Sequence, residues 1–135
     1  PGVTVDRKVG SYRHDGHRIE VVDTPGIYSL SATSVGEEVA RDYVLSGDAD
    51  LIVNIVDASN IERNLYLTTQ LLEMRAPLLV ALNMMDLAKE RRIDIDVDGL
   101  ARQLGCPVIP MVVAKNQGVS QLKDAINKAA PEKGR

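Results

Sequence analysis

The stretch APLLVALNMMD, residues 76–86, decides the fold. Its apolar residues run unbroken instead of alternating with polar ones, as a strand buried on both faces requires. The run then empties into polar residues. Working outward, DLIVNIVDAS (50–59) and PVIPMVV (107–113) read as two further buried strands. Between them lie helical patterns. Asn60 is placed to cap an amphipathic helix carrying Ile61, Leu65 and Leu72, and DVDGLARQLG (96–105) reads as a helix stopped by Gly105. GVSQLKDAINKAA (118–130) closes the chain as a helix with Val119, Leu122 and Ile126 on one face. Toward the N-terminus, RKVGSYR (7–13) and HRIEVVD (17–23) flank Asp15-Gly16, a pair suited to a tight hairpin turn. VGEEVARDYVLSG (35–47) reads as a short helix ending at Gly47. Strands alternating with helices predict an α/β domain, a mainly parallel sheet with helices on both faces.

Composition agrees. The 135 residues suit one domain, and their 44% hydrophobic and 26% charged content is ordinary for a globular chain. Trp and Phe are absent, so Val, Ile and Leu must fill the core. A net charge of −3 without a basic stripe argues against a nucleic-acid partner. The single Cys106 excludes an internal disulfide and fits a reducing compartment. No apolar run approaches the length of a membrane span.

In sheets of this kind ligands bind beyond the carboxyl ends of the strands, and three motifs sit there. Asp23-Thr24-Pro25-Gly26 follows an apolar run. An acidic residue at a strand end can hold magnesium through water, and a glycine can bring its N–H close to a terminal phosphate. Read plainly, the same residues are a proline-glycine turn. Asn83-Met84-Met85-Asp86 ends the 76–86 stretch. A carboxylate there can accept two hydrogen bonds from the N1 and N2 donors of guanine, a pair that adenine lacks; the plain reading is a helix cap. Val113-Ala114-Lys115 follows the last strand, where a small residue lets a backbone N–H reach a guanine carbonyl and the lysine stem can cover the base. Each motif is weak alone. Their order along successive strands is the one a guanine-nucleotide domain needs.

Other chemistry-bearing residues read as structural. His14 and His17 flank the hairpin turn and are expected to be solvated rather than metal-bound. Met74, Met84, Met85 and Met111 are scattered packing or loop residues, Lys89 to Arg92 are a solvated helix face, and Cys106 is inert.

These residues resemble the G domain of the ferrous iron transport protein B (FeoB) family. PGVTVDRK (1–8) resembles its first switch and DTPGIYSL (23–30) its second; LSGDADLIVNIVDASNIERNLYLTTQLLE (45–73) is similar to its long signature. ALNMMD (81–86) has the family's methionine where most GTPases have lysine, and LGCPVIPMV (104–112) is again family-like. The resemblance implies a P-loop GTPase-like fold and binding of GTP or GDP with Mg2+. Thr4, within the first switch Gly2, Val3, Thr4, Val5 and Asp6, would contact magnesium and the γ-phosphate. Asp23 would hold magnesium through water, and Gly26 would sense the γ-phosphate, flanked by Thr24 and Pro25. Asn83, Met84, Met85 and Asp86 would form the guanine-reading loop, supported by Val113, Ala114 and Lys115, with Val113 where a serine is usual. Ile27 follows the second switch glycine in place of the glutamine common in small GTPases, and its side chain can neither donate nor accept a hydrogen bond. Slow intrinsic hydrolysis is expected, with water positioned by backbone, another residue or a bound cation.

The phosphate-cradling motif G-x-x-x-x-G-K-[ST] is absent from residues 1–135. The expectation is therefore an internal fragment of a larger membrane protein, a partial G domain over 1–135 lacking the first strand, P-loop and first helix. Its parent would carry a helical regulatory domain and a membrane domain at the cytoplasmic face of the bacterial inner membrane. There it would regulate ferrous iron uptake, and homo-oligomerisation is possible. Alone, the fragment is expected to be inactive. Two alternatives stand beside this reading: a non-catalytic interaction module, and a ribosome-assembly GTPase.

Overall fold

The computed structural model describes residues 8–23 and 35–129. The chain divides into two compact units, residues 1–49 and 50–135.

In the first unit, β1 (Lys8–His14) and β2 (His17–Asp23) form an antiparallel hairpin in which His14 pairs with His17 and Lys8 with Asp23. The turn is the one foreseen: Asp15 and Gly16 both take positive φ, 50° and 81°. Two positive φ values in a two-residue loop match the right-handed twist of the flanking strands. His17 is exposed as expected, whereas His14 is only partly so and lies 3.7 Å from the Asp15 carboxylate. Helix α1 (Val35–Ser46) ends at Gly47, with the Ser46 hydroxyl donating back to the Tyr43 carbonyl at 2.5 Å.

The second unit holds a parallel sheet of order β3-β4-β5: β3 (Ile52–Asp57), β4 (Leu78–Asn83) and β5 (Val108–Pro110). β4 is central, and its Leu78 to Leu82 are all buried, so an unbroken apolar run was required there. Its register aligns Asp57 with Asn83 at the carboxyl ends of β3 and β4. Among the described residues four helices accompany the sheet: α2 (Ile61–Glu73), α3 (Met85–Glu90), α4 (Val97–Leu104) and α5 (Val119–Ala129). Val56, Ala58, Val80, Leu82, Ala88 and Val108 form a core cluster, sealed by half-buried residues including Leu65, Ile93, Leu100 and Leu104. α4 packs on β5 and α5 on β4. α4 is capped at both ends, by the Asp96 carboxylate accepting the Gly99 N–H at 3.1 Å and by Gly105 in the left-handed region.

Three local readings need correction. The 107–113 stretch forms only three residues of strand. The pairing with β4 makes its last backbone bond from the Met111 N–H to the Leu82 carbonyl, and Val112 then exchanges backbone hydrogen bonds with Gln117 instead. Asn60 precedes α2 but its side chain makes no cap bond; Asp57 caps the short 3-10 turn over Ala58–Asn60 that leads into the helix. Lys89 and Glu90 end α3, whereas Arg91 and Arg92 lie beyond it. No helix among the described residues is long and apolar enough to cross a membrane.

Candidate functional site

The second and third motifs meet at the carboxyl end of the parallel sheet. β4 stops at Asn83, and the next residue, Met84, turns the chain with a left-handed φ of 63°. A non-glycine residue in that region stores about 1 kcal/mol or more and persists only where its surroundings hold it. Here they do: the Met85 N–H donates to the Met111 carbonyl at 3.2 Å, and the Met111 N–H donates to the Leu82 carbonyl at 2.8 Å. The turn places Asp86 as the second residue of α3, half-exposed, with its Oδ1 accepting the Leu87 N–H at 2.9 Å.

The facing loop is a 3-10 turn over Val113–Lys115. Asn83 reaches across to it, its Oδ1 accepting the Val113 N–H at 3.0 Å, a bond between residues thirty apart in sequence. Lys115 then brings its Nζ to 3.6 Å from Asp86 Oδ2, with the two side chains 61% and 43% exposed. At that exposure the ion pair is worth about 0–1 kcal/mol, so it marks proximity rather than stability. The loop closes through Asn116, at φ 55°, and the Val112–Gln117 exchange, then leaves by Gly118 at φ 86°. A Cβ on Gly118 would lie 2.6 Å from the Pro110 carbonyl oxygen, so the loop returns against β5 with no space for a side chain. Met84 and Val113, 40% and 49% exposed, add apolar surface. The ensemble is one open carboxylate, one flexible cation and two apolar side chains on braced loops, a set able to hold a flat polar ring by its edge and faces.

Asn83, Met84, Met85, Asp86, Val113, Ala114 and Lys115 are thus brought together. Asp23 is the last residue of β2, in the other unit, and its side chain is outside the described set. Gly2, Val3, Thr4, Val5, Asp6, Thr24, Pro25 and Gly26, and with them Thr4 and Asp23 as the expected magnesium ligands, lie outside the described residues or side chains. Sequence reading passed over Asp57 and Asn64, which pin the turn beside Asn83, and Asn116 to Gly118, which close the loop behind Lys115. Asp57 ends an apolar strand just as Asn83 does, and that position was the available signal.

The family described as "Ferrous iron transport protein B" matches residues 1–126. The Fe(2+) transporter FeoB of Salmonella typhimurium is 53% identical over 131 residues, 94% of this chain but 17% of the transporter, so the chain spans about a sixth of such relatives. Among solved structures, the FeoB G-domain from Methanococcus jannaschii superposes with a TM-score of 0.87 at 54% identity, covering 93% of this chain and 80% of that one. The cytosolic domain of the T. maritima FeoB iron transporter in its GMPPNP form gives 0.89 at 39% identity over 98% of this chain and 53% of that one. At these identities the likeness extends beyond fold to sequence. The chain belongs to the ferrous iron transport protein B family, with the α/β fold of its G domains.

Proposed function

We propose that this chain is the base-reading and switch-bearing part of a GTPase domain that regulates ferrous iron uptake. The observation that carries the reading is the Asn83 bridge. It ties the two loops at the sheet's carboxyl end, so that Asp86 and Lys115 converge on one open site. In this reading the Asp86 carboxylate accepts the N1 and N2 protons of guanine, the Lys115 stem and Met84 cover its faces, and the 113–115 backbone approaches its carbonyl. Adenine would leave the carboxylate unpaired, a loss that polar sites turn into strong discrimination. Relatives solved in GDP and GMPPNP forms support a guanine-nucleotide ligand.

Thr4 and Asp23 hold Mg2+ in this proposal, Asp23 through water, and Gly26 senses the γ-phosphate. The ion would neutralise phosphate charge. Ile27 orients no water, so hydrolysis is slow and Ile27→Ala leaves the rate within about a few-fold. The phosphate loop is absent from residues 1–135, so these residues alone bind nucleotide weakly and hydrolyse none. In the native protein that carries the chain, switch motion is relayed to a helical regulatory domain and a membrane domain, at the cytoplasmic face of the inner membrane. Family membership favours this reading over an interaction module or a ribosome-assembly factor. The test is a titration of that native protein with GDP and with ADP in magnesium: a strong preference for GDP is expected, and equal affinities would overturn the reading.

A further inference from the structure

We infer that Asp57, backed by Asn64, is a positioning residue for Asp86, acting through the 3-10 turn that follows β3. The inference rests on the guanine-reading role proposed for Asp86. Asp57 is the last residue of β3 and the register partner of Asn83, so it stands beside the bridge that joins the two loops. Its carboxylate is turned onto its own turn: Oδ1 accepts the Ser59 N–H at 2.9 Å and the Ser59 hydroxyl at 2.6 Å. Asn64, in the first turns of α2, holds the same segment from the other side. Its Oδ1 accepts the Asp57 N–H at 3.3 Å, and its Nδ2 donates to the Asn60 carbonyl at 2.9 Å.

The pinned turn presents Ala58, wholly buried, to the cluster that contains Ala88 of α3, and the turn packs directly on that helix. The buried residues that the turn and the helix contribute to that cluster are both alanines, which have no side-chain rotamers to absorb a displacement. α3 has six residues, too few to be stable by itself, so its placement is set by what it packs against. Asp86 is its second residue. A shift of the turn therefore becomes a shift of the carboxylate, and hydrogen bonds weaken steeply as their angles depart from linear. Asp57 touches no base in this account; it fixes the group that does.

The test compares GDP with IDP, whose hypoxanthine lacks the 2-amino group and so forfeits one bond to Asp86. Both affinities are measured on the native protein that carries this chain, for the wild type, Asp57→Ala and Asp57→Asn. The preference for GDP over IDP is expected to fall about 3- to 10-fold in Asp57→Ala, the worth of one misaligned hydrogen bond. Asp57→Asn keeps an oxygen acceptor for Ser59 and is expected to retain the preference within about twofold. A purely structural defect lowers the folded fraction and weakens both nucleotides by one factor. An unchanged ratio in Asp57→Ala would overturn the inference and leave the guanine-reading role standing. Absence of any GDP preference in the wild type would overturn both. Should Asp57→Ala not fold, Asn64→Ala removes the other half of the pin and carries the same expectation and the same refutation.

Discussion

Replacing Gly118 with alanine tests how the loop behind Lys115 is built. Gly118 has φ 86°, and an added Cβ would meet the Pro110 carbonyl oxygen at 2.6 Å, Met111 Cγ at 3.0 Å and Met111 Cα at 3.2 Å. The methionine side chain can move; the two backbone atoms move only with β5. Left-handed backbone costs alanine about 1–2 kcal/mol, and forcing an atom into filled space costs about 1–3 kcal/mol more. Reduced freedom of the unfolded chain returns about 0.4–1 kcal/mol. The balance is a destabilisation of about 1–5 kcal/mol. Gly105 supplies the control, since it has φ 73° but nothing within 4 Å of an added Cβ. Gly105→Ala should lose only the backbone cost, about 1 kcal/mol after the same return. Urea unfolding followed by circular dichroism reads both. With a slope of about 1–3 kcal/mol per molar urea, the Gly118→Ala midpoint should fall further than that of Gly105→Ala, by about 1 M for a steric cost of about 2 kcal/mol at a slope of about 2. Equal shifts in the two variants would refute the steric reasoning.

Three further outcomes follow from the geometry. Asn83→Ala removes the acceptor of the Val113 N–H and should lower stability by about 0.5–1.5 kcal/mol, while Asn83→Asp, which keeps an acceptor, should lose less; chemical denaturation distinguishes them. Thr68 is wholly buried and hydrogen-bonds the side chain of Asn54, itself 8% exposed, so Thr68→Val should cost about 1–3 kcal/mol by orphaning Asn54. Replacing both by apolar residues should recover much of that loss in a double-mutant cycle. Burial raises the Cys106 thiol above its usual 9.0. Because the folded value is the higher one, its contribution to stability is complete below pH 9.0 and is lost as pH rises through the folded value, and iodoacetamide should label the folded chain more slowly than the unfolded one.

The sheet was legible because β4 is buried on both faces, and only an uninterrupted apolar run can satisfy that. The hairpin was legible because Asp-Gly tolerates two positive φ values in succession. What was not legible depended on long-range partners. Asn54 stands in the middle of an apolar run, and nothing local shows that Thr68, fourteen residues on, will satisfy it. The early end of β5 follows from Val112 finding Gln117, a pairing that the apolar run itself does not announce. At the site, Asn83, Asp86 and Lys115 could be named from their positions after strands, but the bridge from Asn83 to Val113 joins residues thirty apart and exists only once β4 and β5 lie side by side. Asp57 was hidden for a different reason: it serves through a turn and a neighbouring helix, and its role follows from packing.

The central claim is that the Asp86 carboxylate reads guanine, and Asp86→Asn tests it most directly. A carboxamide at that position can still accept the N1 proton, but it meets the 2-amino group of guanine with its own donor. Xanthine, with a carbonyl there, would complement it. The measurement is the affinity of the native protein and its Asp86→Asn variant for GDP and XDP in magnesium. The account predicts that preference passes from GDP to XDP, and the same preference in both proteins would contradict it.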